Sequence, residues 1–438
     1  MSTDTVHEVK RRVIDTFGVG IAAFTGEASK VARVYAHSFP NPQGCTVFGT
    51  QKKTNPDIAA FVNGIMARYL DFNDTYVSQD PSHPSDVILP LMTVAEFKGL
   101  TGEELITAIT IAYEIVVSLC DAASLWVNKW DHVNYVGIAV AAATSRLFGL
   151  SIEATEQAIA MTAVPHAAMR QSRAGELSMW KGVAAANASR NAVFVTLLAE
   201  RGMTGPSQPF AGRMGFFELL THKPFDSAAL SSMETKNPPE RILDTHIKFW
   251  PAEYHSQSAI DVALQLRQEI GDPQRIDKIH IDTYHIAYEI IVREAEKWAP
   301  QTRETADHSL PFMVTVALED GELTDRSFSV ERIMNPTTRK IMKNRITVEV
   351  KPELNAGYPE GIPNRITITT KDGATFQKQI AYPRGHAKNP MTDDEVVEKF
   401  NKNTEVSLAP AQREQILEAV WSLEKLAQVS HLFPLLIV

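Results

Sequence analysis

Leu70-Asp71-Phe72-Asn73-Asp74-Thr75 and, eight residues beyond Thr75, His83 within Ser82-His83-Pro84-Ser85 place two carboxylates, a hydroxyl and an imidazole where an apolar stretch ends. Acids three residues apart share one face of a helix, so Asp71 and Asp74 are expected to point into the same space. A helix terminus that runs into a Ser/His/Pro loop is where polar side chains leave a core and meet a ligand. An acid/base site, a metal site and a simple helix cap all fit this pattern. An aspartate-rich Mg²⁺ motif also requires a second acidic cluster on a facing helix, and the sequence offers none.

Four other segments carry comparable groups. Trp130-Asp131-His132-Val133-Asn134 sets a histidine beside an aspartate at the start of a helix, where the carboxylate could orient the ring for proton transfer or merely cap the helix. His166, Arg170, Arg173, Glu176, Ser178 and Lys181 lie within sixteen residues and lead into an apolar helix. Cations at a helix N-terminus oppose its dipole unless an anion is also present, which points to an anionic ligand. Lys248-Phe249-Trp250-Pro251-Ala252-Glu253-Tyr254-His255 sits at a change of texture and suits a cleft wall. Thr305-Ala306-Asp307-His308-Ser309-Leu310-Pro311-Phe312 is a polar helix start, for which capping is a sufficient account. Gly18-Val19-Gly20 lies inside a helical pattern with no preceding strand, so it is no dinucleotide turn. Taken together, lysines, arginines and histidines converge on few acids, which suits a polycarboxylate substrate whose charges are neutralised while imidazoles move protons.

Elements must position these groups. With 438 residues, two or three domains are expected. Up to about residue 240 the apolar spacing is helical over 9–24, 57–72, 86–99, 103–123, 135–148, 153–165 and 178–201. Thr101-Gly102-Glu103-Glu104 reads as a capping box and Ser151 as an N-cap. The alanine-rich runs Ile138–Thr144 and Val183–Ser189 suit helices buried in a bundle. Beyond residue 240, Ile276–Tyr284, Arg345–Val350, Arg365–Thr370 and Thr375–Tyr382 alternate as strands, the last two joined through Asp372-Gly373. Helical segments are expected near 307–320 and 328–335, and again from Thr392 to Asn401 and Pro410 to Ala427. The fold class is therefore mainly α: a large all-α domain (1–245 and 391–438) with a smaller α+β lid domain (246–390) inserted before the C-terminal helices.

Composition excludes several classes. A net charge of −9 disfavours nucleic-acid binding. Cys45 and Cys120, the only cysteines, cannot hold an iron–sulfur cluster, a zinc ribbon or a disulfide scaffold. No signal sequence is read at the N-terminus, and no apolar run is judged long enough to cross a membrane, so the expected location is cytoplasmic.

LDFNDT…HPS, WDHV, GELSMWKGVAAANASRNAVF with Gly202-Met203-Thr204-Gly205-Pro206, the Lys248…PAEYHSQS segment, ADHSLPF and YPRGHAKNPMTD occur in the order that resembles the MmgE/PrpD family, over roughly residues 10 to 425. Members include 2-methylcitrate dehydratase and cis-aconitate decarboxylase. The resemblance implies the same two-domain arrangement, a homodimer, an active site between the domains and catalysis with no metal or other cofactor. By motif it assigns Asp71, Thr75, His83, His132, Lys181, Lys248 and His255 to that site. It implies a hydro-lyase on a citrate-like tricarboxylate, 2-methylcitrate in propionate catabolism, with decarboxylation, isomerisation or epimerisation of a related acid as the alternative. A non-catalytic carboxylate-binding helical protein is the alternative of another class. In this reading His83 and His132 share the roles of base and acid in either order, with Asp71 setting the tautomer or charge of its partner imidazole. Lys181, Lys248 and Arg173 bind carboxylates, Thr75 and His255 orient substrate, and Asp74 is structural. The family often carries a tyrosine where this chain has Phe312, which removes a hydroxyl from any mechanism that needs one.

Overall fold

Helices dominate the computed structural model, which describes residues 1–234 and 238–438. Eight α-helices occupy its first half: α1 (Thr3–Ala22), α2 (Glu27–His37), α3 (Pro56–Arg68), α4 (Ile88–Lys98), α5 (Gly102–Ala122), α6 (Val133–Phe148), α7 (Ile152–Ala163) and α8 (Trp180–Ala199). The expected caps form. Thr101 Oγ1 accepts the Glu104 amide at 3.2 Å while the Glu104 carboxylate accepts the Thr101 amide at 2.9 Å. Ser151 Oγ accepts the Ala154 amide at 3.2 Å. The alanine-rich helices are interior: α8 lies against both α3 and α6, an approach that short side chains allow. Gly18 and Gly20 are likewise packing positions, because a Cβ there would come 3.1 Å from Phe400 and 3.2 Å from Phe48.

Two large apolar cores form among the described residues, with two small clusters at α6, α7 and α8. The larger draws on side chains from Val9 to Ile247 and again from Met391 to Leu436. The second runs from Ala252 to Ile368 and includes Val77. Short strands pair early in the chain: β1 (Pro40–Thr46) with β2 (Lys53–Thr54), and β3 (Tyr76–Val77) with β4 (Pro81–Ser82). The second core is built on α9 (Gln257–Ile270), helix Leu310–Asp320 and a four-stranded sheet. Its strands are β5 (Ile276–Thr283), β6 (Ile346–Val350), β7 (Asn364–Thr370) and β8 (Thr375–Ile380), in the order β6-β5-β7-β8. β5 runs parallel to β6 and antiparallel to β7, so that Ile279 opposes Ile346 on one side and Ile368 on the other. Burial alternates strictly along β7, the pattern of a sheet with one face on a core. Gly373, at φ 84°, turns the β7–β8 hairpin.

Several expectations need correction. The helix read over 57–72 ends at Arg68, and Asp71 takes a left-handed conformation at φ 51°. Asp71 and Asp74 therefore share no helical face, and their carboxylates face different partners. A 3₁₀ turn, Pro84–Val87, precedes α4. α2, the β1–β2 pair, helix His285–Ile291 and helix Pro336–Arg345 were not anticipated from the pattern. α5 does reach membrane-spanning length, with a mean hydropathy of 1.7 over its best window, but 78% of that window is buried inside the protein. It is an interior helix of the bundle. Cys45 and Cys120 are both buried and unpaired.

Candidate active site

The chain turns sharply after α3 because Asp71 is held from several sides. Its carboxylate pairs with the Arg68 guanidinium, with Lys181 Nζ at 3.0 Å and with Lys248 Nζ at 2.8 Å. Lys248 also donates to the Asp71 carbonyl at 2.9 Å. Burial favours the neutral acid, but the charges of Arg68, Lys181 and Lys248 outweigh it and hold Asp71 well below the usual carboxylate range. A left-handed non-glycine residue costs on the order of 1 kcal/mol or more, and this set of contacts fixes it there. The cation at the start of α8 thus meets an anion from the protein itself. Gly182 eases this close approach, since a Cβ there would lie 3.3 Å from the Tyr69 backbone. Burial also pushes the Lys181 ammonium down to about 8, with Asp71 resisting the fall.

Lys248 is supported from behind. Lys399, on the C-terminal helix Asp393–Thr404, donates to the carbonyls of Phe72 at 2.9 Å and Lys248 at 2.7 Å and pairs with Asp15 at 2.6 Å. The backbone of Thr75 exchanges two hydrogen bonds with His246, at 2.8 and 2.9 Å. The Thr75 hydroxyl donates to the Ser82 carbonyl at 3.1 Å, so its role here is to hold the loop that carries His83.

His83 and His132 meet edge to face, with ring centroids 5.5 Å apart. His83 Nδ1 lies 2.8 Å from the Asp74 carbonyl. A carbonyl only accepts, so Nδ1 carries the proton and Nε2 keeps its lone pair. The Asp74 backbone rather than Asp71 sets this tautomer, while the Asp71 charge acts on His83 by favouring its charged form. The Asp74 carboxylate accepts the Ser85 amide at 2.8 Å and the Tyr113 hydroxyl at 2.7 Å, the structural role expected of it. Asp131 divides itself between His132 Nδ1 at 3.4 Å and Arg173 Nε at 2.8 Å. His132 Nε2 and Arg173 Nη2 are buried with no hydrogen-bond partner among the described residues. Burial holds both imidazoles well below the ordinary histidine value, and neighbouring guanidinium groups add to the effect.

The other wall comes from the sheet-bearing half. The His255 backbone amide donates to Glu253 Oε2 at 2.8 Å, and the His255 ring bonds Tyr284 through Nδ1. Burial pushes His255 down to about 3 and Glu253 up to about 7. His308 Nδ1 bonds Asp307 at 2.6 Å, while its Nε2 lies 3.6 Å from Asp71. Across the gap, Thr302 and Thr305 bond the backbone of Leu177 at 3.0 and 3.1 Å.

The structure thus gathers Asp71, Lys181 and Lys248 in one cluster and His83 with His132 beside it. His255 faces them from the second core, near enough for the Lys248 charge to lower its pKa. Arg173 reaches this region through Asp131, and Thr75 stays in the loop. Sequence reasoning missed three groups. Arg68 looked like an ordinary interior helix position. Asp307-His308 was read as a cap, although an acid–imidazole pair in tandem was the available signal. Tyr284, at the end of β5, gave no local signal. Asp71, Asp307 and His308 bring three ligand-type atoms together, as does His280–Asp282–Glu349 on the sheet. Their chemistry does not suit a metal. A divalent ion at the first would have to displace three cations from Asp71, and at the second both nitrogens of His280 are engaged and Asp282 pairs with Arg365.

Comparison with known proteins gives a consistent picture. The MmgE/PrpD N-terminal domain model matches residues 1–228 and the C-terminal domain model residues 250–424. The chain is 28% identical to a 2-methylcitrate dehydratase of Escherichia coli (strain K12), covering 97% of this chain and 91% of that one. It is 29% identical to a 2-methylcitrate dehydratase of Cupriavidus necator, with 93% and 87% covered. It is also 26% identical to a cis-aconitate decarboxylase of Mus musculus, with 98% and 89% covered.

Proposed function

Because this chain belongs to the MmgE/PrpD family, we propose that it is a metal-independent hydro-lyase that removes water from a citrate-like tricarboxylate, 2-methylcitrate, to give 2-methylaconitate. The observation that carries this reading is the juxtaposition of two lysines on one buried carboxylate with two imidazoles: His83, bonded at Nδ1 to the Asp74 carbonyl, and His132, whose Nδ1 lies 3.4 Å from Asp131 and whose Nε2 is unpartnered among the described residues.

Dehydration requires a base for the proton alpha to a carboxylate and an acid for the departing hydroxyl. In this reading neutral His83 takes the proton on Nε2. The electron pair of the broken C–H bond becomes the new C=C bond as the C–O bond breaks. His132, charged when a polyanionic substrate is bound and partnered by Asp131, gives its Nε2 proton to the leaving hydroxyl, and water departs. The His132 proton leaves in the water and His83 holds the proton taken from the substrate, so His83 must release one proton and His132 regain one before the next turnover. Lys181, Lys248 and the unoccupied Nη2 of Arg173 bind carboxylates, and the lysines stabilise the enolate-like charge of the transition state. Asp71 fixes the two ammonium groups, and His255 orients substrate from the opposite wall.

We also propose that residues 246–390 act as a lid on the body formed by 1–245 and 391–438, that the protein is a cytoplasmic homodimer, and that it serves propionate catabolism. Decarboxylation of cis-aconitate is the second reading, favoured by the relatives of that name. Phe312 speaks against a mechanism that needs a hydroxyl at that position, since its ring is wholly buried beside Phe328. Incubation of the purified protein with 2-methylcitrate, citrate and cis-aconitate, with products identified by NMR, separates these cases. An alkene product from 2-methylcitrate is expected. Carbon dioxide from cis-aconitate alone would favour the decarboxylase, and no turnover would favour a binding protein.

A further inference from the structure

In the helical body His83 offers an acceptor at Nε2, which leaves the question of what the other wall offers a substrate oxygen. His255 is held there at three points besides its packing. Its amide is accepted by Glu253 Oε2 at 2.8 Å, its carbonyl accepts Asn364 Nδ2 at 3.0 Å, and its Nδ1 bonds the Tyr284 hydroxyl. Tyr284 is 1% exposed and stacks on Tyr358, with ring centroids 5.2 Å apart. Among the described residues, His255 Nδ1 is the one hydrogen-bond partner of the Tyr284 hydroxyl. If Nδ1 carried the proton, the phenol O–H would be left buried with no acceptor, which costs about 1–3 kcal/mol. The satisfied arrangement has the phenol donating, Nδ1 accepting and the single ring proton on Nε2, which lies 3.9 Å from Glu253 Oε1. A phenol bonded to Nδ1 also draws charge from the ring and strengthens Nε2–H as a donor.

We propose that Tyr284 is a positioning residue that locks His255 in the neutral, Nε2-protonated tautomer, opposite to that of His83, so that His255 presents a fixed hydrogen-bond donor to a substrate oxygen. The inference deepens the hydro-lyase reading and rests on it for the identity of that oxygen. The tautomer itself does not depend on substrate.

The test uses the full-length protein labelled with ¹⁵N-histidine and free of substrate, with His255→Gln assigning one signal among 13 histidines. His255 is expected to show an unprotonated Nδ1 and a protonated Nε2. Tyr284→Phe keeps the ring stack and removes one oxygen; it should shift the tautomer and lower kcat about tenfold to a hundredfold, with KM changing by less than about threefold. Tyr358→Phe, which alters the other phenol of the stack, should leave the His255 signal unchanged. A protonated Nδ1 in the native protein, or the same tautomer in Tyr284→Phe, overturns the proposal. If the native protein turns over none of the tricarboxylates, the hydro-lyase reading fails while the NMR result still decides the tautomer.

Discussion

Replacing Asp71 by asparagine preserves shape and removes the one charge that Arg68, Lys181 and Lys248 share. Removing one partner from a buried ion pair costs about 3–5 kcal/mol, because the other charge remains buried and uncompensated. Unfolding entropy of about 2.1 cal/mol/K per residue over 438 residues is on the order of 0.9 kcal/mol/K. In a cooperative transition the loss therefore lowers Tm by roughly 3–5 °C. If charge is the cause, deleting one of the stranded cations should restore part of the loss. Lys181→Met in the Asp71→Asn background should thus be less destabilised than the sum of the single variants, with a coupling of about 1–3 kcal/mol. Urea unfolding of the native protein, both single variants and the double variant, followed by circular dichroism, measures the cycle. The sign of the pH dependence follows from the depressed folded-state pKa of Asp71. Its stabilisation is fully present above the unfolded carboxylate value of about 4 and is lost as pH falls through the folded value. The difference between native and Asp71→Asn should be constant near neutrality and shrink only in strong acid. Single-variant effects that add within about 0.5 kcal/mol would refute the shared-anion account.

Other outcomes follow from the same geometry. With Lys181 poised at about 8, kcat/KM should fall as pH rises through that value. It should not fall as pH is lowered to 6.5, because burial keeps His83 neutral at that point; a loss on acidification centred near the ordinary histidine value would contradict the assignment. His83→Gln and His132→Asn should each lower kcat by about 10²- to 10⁴-fold with unchanged circular dichroism, and full activity in either removes that residue from the mechanism. Arg173→Lys should raise KM for the tricarboxylate more than it lowers kcat, since a lysine cannot bond Asp131 and offer a second planar donor together. Gly182→Val should separate Lys181 from Asp71 by pushing α8 off the Tyr69 turn, and wild-type activity in that variant would show that the approach is not required.

Local signals in the sequence located most of the helices and segments on both walls of the site. The capping box at Thr101, the N-cap at Ser151 and the Asp372-Gly373 turn depend on neighbours a few residues away, and all form. The end of α3 was misjudged because apolar periodicity continues through Leu70 and Phe72, whereas the break at Asp71 is imposed by lysines at positions 181 and 248. For the same reason the aspartates were expected to act together, and only tertiary contacts separate them. The parallel pairing of β5 with β6 joins segments some sixty residues apart and leaves no mark in either strand. Arg68 and Tyr284 resemble ordinary interior residues until the partners they face are known.

The central claim is dehydration by side chains alone. The protein, stripped with EDTA and kept in it, should convert 2-methylcitrate to 2-methylaconitate as followed by NMR, at the rate of the untreated protein. Loss of turnover on stripping, restored by a divalent metal, would contradict the account.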